Sequence, residues 1–253
     1  MTPLTRVAQC LSILLAVLIF TIILSGLISI RQSAMLQLLQ DSEFTRAVIF
    51  TLRTSIAATL LTAITAIPAG FYLARHTGPA TTIIDTLFDI PIVMPPLVVG
   101  VLLLSFFNRP LLKEVCDLIF TTPGAIIAQF FVAVPFTIRA AKNAFELVPP
   151  IYEQIAMTLG AGSTKAFFDT TFKLALPAVS AGLVLSWLRC LGEFGATLMV
   201  GGGIPGRTEN IPIYIYLSMS SGEFKKGMAA AIVAIGAAFC GILLVKLLAR
   251  RRL

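Results

Sequence analysis

The sequence predicts an all-α integral membrane protein of about six transmembrane helices, with a bent helix pair projecting from one end of the bundle. Three observations predict it. Of 253 residues, 57% are hydrophobic and 12% charged, and the mean hydropathy is +0.95, whereas a soluble domain carries about 25% charged residues. Six apolar runs approach the roughly 20 residues that cross a hydrocarbon core. One polar interval, residues 146–177, breaks those runs with helical patterning of its own.

The first run, residues 7–30, exceeds a signal-peptide core of about 7 to 15 residues and is followed by no clear A-x-A site, which favours a retained helix. A polar loop with Asp41 and Glu43 follows. The second run, 47–74, carries Arg53 near its start, where a long cation snorkels to the interface. Residues 75–79 make a turn. The third run, 87–107, holds Pro91, Pro95 and Pro96 and must break or kink, so its irregular backbone is buried in protein or lines a cavity. After a charged loop, the fourth run, 123–144, contains Pro135. The fifth, 174–200, holds the one charge pair placed deep in the membrane, Arg189 and Glu193, a helical turn apart. The last, 228–248, ends before Arg250, Arg251 and Arg252. The whole chain, 1–253, is a single transmembrane domain.

The polar interval reads as two short helices. After Pro149 and Pro150, Ile151, Ile155 and Leu159 form an apolar stripe, with Glu153 and Gln154 on the other side. Gly160 supplies the stop. Ser163 is placed to cap a second helix, with Phe168, Phe172 and Leu176 on one face and Lys165, Asp169 and Lys173 on the other. Such an amphipathic pair outside the bilayer wants a partner.

The formal charge of +7 does not indicate nucleic-acid binding, because Arg250 to Arg252 directly follow an apolar run, where cytoplasmic segments collect cations. With six spans, both termini and the 146–173 loop share a side. That side carries ten Lys and Arg against seven opposite, which places it in the cytoplasm and the protein, multi-pass, in the cell membrane. Cys10, Cys116, Cys190 and Cys240 lie far apart with no CxxC spacing, so neither a disulfide framework nor a metal site is expected. His76 is the only histidine, and no nucleophile, base and orienter can be assembled around it. The string GAGSTK, 160–165, lacks the glycine spacing of a phosphate loop and follows no strand. The chain is not read as an enzyme.

A bent cytoplasmic helix pair before the penultimate span resembles the coupling loop of permease subunits of ATP-binding-cassette importers. That loop reads Glu-Ala-Ala, three residues, then Gly; Gln154, Ile155, Ala156 and Gly160 stand here, with Glu153 one place early. The family's Leu-Pro falls at Phe172 and Lys173, whereas Leu176 and Pro177 fit a variant of oxyanion permeases. The fifth span and its loop, LRCLGEFGATLMVGGGIPGRTENIPIYIY at 188–216, look like the molybdate/tungstate branch. DIPIVMPPLVVG, 89–100, resembles the third span of the same branch. Sulfate permeases usually carry Tyr-Gly-Ser where Phe194, Gly195 and Ala196 stand.

The resemblance implies the fold of a type I importer permease and a homodimer held in membrane lipid. It also implies two cytoplasmic ATPase subunits, which use ATP and magnesium, and an external oxyanion-binding protein. No cofactor is expected on this chain and no nucleic acid among its partners. Glu153, Gln154, Ala156 and Gly160 are then candidates for ATPase docking. Arg189, Glu193 and Thr197 are candidates for the pathway or gate, the ion pair serving either as a structural and gating pair or as a contact for the passing dianion. Pro205, Gly206 and Arg207 are candidates to face the binding protein. The alternatives are a sulfate or thiosulfate permease of the same superfamily, or an ion-coupled secondary transporter, for which inverted repeats would be the sign.

Overall fold

The computed structural model describes residues 3–28 and 32–250, and among these there is no β-strand. The elements are α1 (Pro3–Ile28), α2 (Gln32–Gln40), α3 (Ser42–Arg75), α4 (Pro79–Val93), α5 (Pro96–Phe107), α6 (Pro110–Val115) and α7 (Thr122–Glu146). Then come α8 (Ile151–Thr158), α9 (Ser163–Ala166), a π-helical turn (Phe167–Phe172), α10 (Lys173–Leu191), α11 (Gly195–Gly201), α12 (Ile211–Ser220) and α13 (Phe224–Arg250). Five helices among the described residues are long and apolar enough to cross a membrane, or six when α4 and α5 count as one bent span. Arg251 and Arg252, part of the terminal cation cluster, lie outside the described residues.

The centre of the bundle is α3, α7 and α10, and small residues bring them together. A Cβ placed on Gly70 of α3 would lie 2.6 Å from the Cβ of Ala141 and 2.8 Å from the amide nitrogen of Lys142, both on α7. One on Gly182 of α10 would lie 2.2 Å from the Cβ of Ala140. Ala58, Ala66, Ala133 and Ala141 are fully buried along the same contact. In lipid, where apolar side chains gain little by leaving the tails, such close backbone approach supplies the packing attraction. Polar cross-links add direction: Gln129 Nε2 donates to Thr54 Oγ1 at 3.2 Å, Trp187 Nε1 donates to Ser55 Oγ at 3.2 Å, and the hydroxyls of Thr137 and Ser186 meet at 2.6 Å. Thr51 and Thr62 return their hydroxyls to the carbonyls of Ala47 and Ala58, so their burial leaves no unmet donor.

Helix ends follow local chemistry. Asp41 caps α3, accepting the N–H of Glu43 at 2.8 Å, and Thr121 caps α7 through the N–H of Gly124 at 3.2 Å. The 87–107 run is two helices. It begins earlier, at Pro79, and bends by 112° at Met94 and Pro95, because a residue before proline is driven to extended backbone and Pro96 suits the first turn of a new helix. Pro68, Pro91, Pro135 and Pro177 lie inside helices that continue through them.

Four expectations need correction. The loop after the first span contains α2, because Leu38 buries against Phe44, Ala47, Tyr214, Ala229 and Ala230. The fifth run is not one helix: α10 stops at Leu191, and α11 starts again at Gly195. The stretch after it contains the apolar α12. Finally, Gly162, not Ser163, takes the capping position of α9, and no side chain caps it. From Ser163 the chain runs through the π turn into α10 as one apolar helix reaching Leu191. The π turn rotates the face: Ala166, Thr171, Ala175 and Val179 are buried, and Phe168 and Leu176 are not.

If the Gly70 contact sets how closely α3 and α7 pack, Gly70→Ala should cost about 1–3 kcal/mol by overpacking. The unfolding midpoint of the detergent-purified chain should fall, and an unchanged midpoint would show that the helices can part there at no cost.

Candidate functional site

The break between α10 and α11 gathers a set of buried polar groups. Glu193 is only 1% exposed. One carboxylate oxygen accepts the N–H of Ala196 in the first turn of α11 at 2.8 Å, and the other faces Arg189 Nη1 at 2.6 Å. Its backbone carbonyl accepts Asn210 Nδ2 at 2.6 Å, while Asn210 Oδ1 caps α12 through the N–H of Ile213 at 3.0 Å. Beside it the N–H of Ile211 donates to Thr51 Oγ1 of α3 at 2.8 Å. Four elements are thus tied at one junction.

α11 and α5 then run against each other as half-helices. A Cβ on Gly195 would stand 2.9 Å from the amide nitrogen of Leu97, and one on Gly100 would stand 2.8 Å from the Cα of Ala196. Of the three pathway candidates, Arg189 and Glu193 are brought together, with the Arg189 side chain 28% exposed. Thr197 is fully buried and its hydroxyl has no partner, so within one chain it lines no open surface.

The loop from Gly202 to Asn210 folds back over the far end of the bundle. Gly206 has φ +71, and a Cβ there would come within 3.4 Å of Arg46 Nη1. Thr208 Oγ1 accepts the N–H of Ile204 at 3.0 Å, leaving Pro205 and Arg207 exposed at the turn. Glu209 is 4% exposed, and its Oε2 has no hydrogen-bond partner. Burial pushes its carboxyl up to about 7; the Glu43 and Asp41 charges add to this, while the Gly206 N–H and Lys226 oppose it. Asp41 itself is paired with Lys226 at 2.8 Å and accepts Tyr214 Oη at 2.8 Å.

At the opposite end, α8 and α9 form the hairpin. Gly160 has φ +91 and follows α8 in a Schellman arrangement, with Gly160 N–H to Met157 O at 3.0 Å and Ala161 N–H to Ala156 O at 3.1 Å. The stripe of Ile151, Ile155 and Leu159 faces outward, Leu159 being 83% exposed, and Gln154 is exposed beside it. Ala156 is half-buried. Glu153 departs from the expected outward face. Its carboxylate turns into the bundle, where it accepts the Thr171 hydroxyl and meets Arg75 Nη2 at 3.4 Å. Above the hairpin, α4 is fastened to α7: Arg139 bonds Asp85 at 2.8 Å and Asp89 through Nε at 2.6 Å, and Lys142 bonds Asp85 at 2.9 Å. Arg53 lies exposed on the outer face of α3, with no carboxylate partner among the described residues.

Residues 66–253 match the family described as "Binding-protein-dependent transport system inner membrane component". The chain belongs to that family. It is 36% identical over 221 residues to the molybdenum transport system permease protein ModB of Escherichia coli (strain K12), covering 84% of this chain and 96% of that one. It is 35% identical over 162 residues to the molybdate/tungstate transport system permease protein WtpB of Thermococcus kodakarensis, 64% of this chain and 63% of that one. Among solved structures, a bacterial ABC transporter involved in the import of the acidic polysaccharide alginate superposes with a TM-score of 0.77. It covers 98% of this chain and 96% of its own, at 17% identity. The fold is therefore that of an importer permease, and the protein is a multi-pass membrane transport component.

Several residues of the site escape a reading of the sequence. Asn210 carried a signal, since an Asn followed by Ile211 and Pro212 marks a helix start. Asp85 with Asp89, and Arg139 with Lys142, have the spacing of one helix face, but nothing local pairs the two helices. Thr51 and Glu209 carried none. Among the described residues, no group of three His, Cys, Asp or Glu side chains could hold a metal ion.

Because the folded Glu209 carboxyl sits above its ordinary value of 4.5, the loop holds its full stability below that pH and loses it as the pH rises through about 7. Glu209→Gln, which cannot ionise, should match the parent in acid and exceed it above neutrality. Unfolding midpoints of both proteins across that range would check this, and parallel curves would contradict the raised titration range of this buried carboxyl.

Proposed function

We propose that this chain is the membrane-spanning subunit of an ATP-driven oxyanion importer, with molybdate and tungstate as cargo. It works as a homodimer with two cytoplasmic ATPase subunits and an external binding protein, and its termini and hairpin lie in the cytoplasm. The observation that carries the reading is the hairpin. α8 buries none of its own residues, and it presents Ile151, Ile155, Leu159 and Gln154 outward on a glycine corner. An apolar stripe in water calls for a protein partner. Of the four docking candidates, Gln154, Ala156 and Gly160 suit the outward face best, while Glu153 turns its carboxylate toward Thr171 and Arg75.

The cargo rests on the names of the relatives and on the match through residues 188–216. The chain itself suits passage better than tight capture. Arg189 is neutralised by Glu193 at 2.6 Å, so the pair offers a dianion no tight cationic site, and a site that binds weakly also releases. Selectivity then belongs mainly to the binding protein that delivers the anion, and Pro205, Gly206 and Arg207 form the loop that meets it. The exposed apolar faces of α4 and α5, with Val93, Val101 and Leu102, support contact with a second copy.

Proteoliposomes holding the chain with its ATPase and binding protein should accumulate molybdate only with ATP, and tungstate should compete better than sulfate. Uptake by the chain alone under a proton or sodium gradient would instead make it a secondary transporter. Gly160→Arg places a side chain where φ is left-handed, straining the corner by about 1–2 kcal/mol, and puts bulk on the docking face. The variant should insert normally yet lose co-purification of the ATPase; an unchanged complex would remove Gly160 from the interface.

A further inference from the structure

We infer that Arg75, Glu153 and Thr171 form a clasp that passes movement of the hairpin into the membrane bundle, with Arg75 as a positioning residue for energy coupling. This rests on the reading of the hairpin as the ATPase-docking element. α8 buries no residue of its own, and among the described residues Glu153 makes its only side-chain hydrogen bonds outside the hairpin's first helix. Arg75 is the last residue of α3, and its guanidinium does two things at once. Nη1 donates to the carbonyl of Val148, just before the hairpin, at 3.0 Å, and Nη2 meets Glu153 at 3.4 Å. It lies 5.7 Å over the ring of Phe71, which packs against Phe145 and Phe167 with centroids 5.2 Å and 4.7 Å away.

The second arm of the clasp is Thr171, fully buried in the π turn between α9 and α10. A π turn inserts one residue into the helical repeat and often marks a functional position. Here it aims a hydroxyl at Glu153 where a regular helix would have aimed a neighbour. A push on the exposed stripe of α8 therefore reaches two spans through one carboxylate: α3 by way of Arg75, and α10 by way of Thr171. Both spans also reach the Glu193 junction, α3 where Thr51 accepts the N–H of Ile211 and α10 at its C-terminal end. A lysine at position 75 could meet either Glu153 or the Val148 carbonyl, but it lacks the fork that reaches both.

The test uses the complete transporter in proteoliposomes, measuring molybdate uptake and ATP hydrolysis on the same sample. Arg75→Gln and Thr171→Val should keep the ATPase in the complex and leave hydrolysis within about two-fold of the parent, while uptake per ATP falls about ten-fold. Arg75→Lys should recover part of that loss. Adding Glu153→Gln to Arg75→Gln should lower the ratio no further, because both act on one contact. If Arg75→Gln does not assemble, Thr171→Val, which deletes a single hydroxyl, decides alone. An unchanged uptake-to-hydrolysis ratio in the variants, or a loss that follows release of the ATPase, would overturn the clasp. Absence of ATP-driven uptake in the unmodified complex would instead overturn the importer reading.

Discussion

A helix broken where it is buried leaves amide and carbonyl groups that no water can reach, and each must find a partner within the protein. The junction at Glu193 meets that demand. Its carboxylate supplies an acceptor for the first turn of α11, its carbonyl takes the amide of Asn210, and Asn210 in turn starts α12. These bonds stabilise the stop of α10 at Leu191 and the restart of seven residues of helix against α5. Leaving any one of them unmade would cost on the order of 1–3 kcal/mol. The glycines on both sides, Gly100 and Gly195, then let the half-helices touch backbone to backbone.

The same junction links the two ends of the molecule. Asn210 closes the far loop that carries Glu209 and Arg207, and α10 descends from Glu193 to the π turn and the hairpin. The only charged side chain buried at the break is a carboxylate, in a protein proposed to pass anions. Arg189 beside it is the compensation, since an unpaired carboxylate there would carry the desolvation cost of a buried charge. On the proposed function, the pair would pin the broken helices while offering a passing anion no tight site.

Much of this architecture was legible in the sequence. Hydropathy marks the spans, and Pro95 with Pro96 marks the bend between α4 and α5, because proline acts on the backbone locally. The break after Leu191 was hidden, because the apolar residues on either side of Glu193 continue the pattern of a span, and the partner that makes a stop there sensible, Asn210, is distant in sequence. The π turn shifted the buried face from Phe168 and Leu176 to Thr171 and Ala175, which a regular 3.6-residue repeat cannot foresee. The helical pattern puts Glu153 with Gln154 on the side opposite the apolar stripe, where a charged residue ordinarily faces water. Arg75, the residue that draws it inward, stands at the end of another span.

The most direct test of the pin is Glu193→Gln, which keeps an acceptor for the Ala196 amide but removes the charge facing Arg189. If the pair holds the broken helices, assembly with the ATPase or basal ATP hydrolysis should change together with oxyanion uptake. Normal assembly and normal basal hydrolysis, with loss confined to uptake, would contradict it and make Glu193 a direct contact of the passing anion.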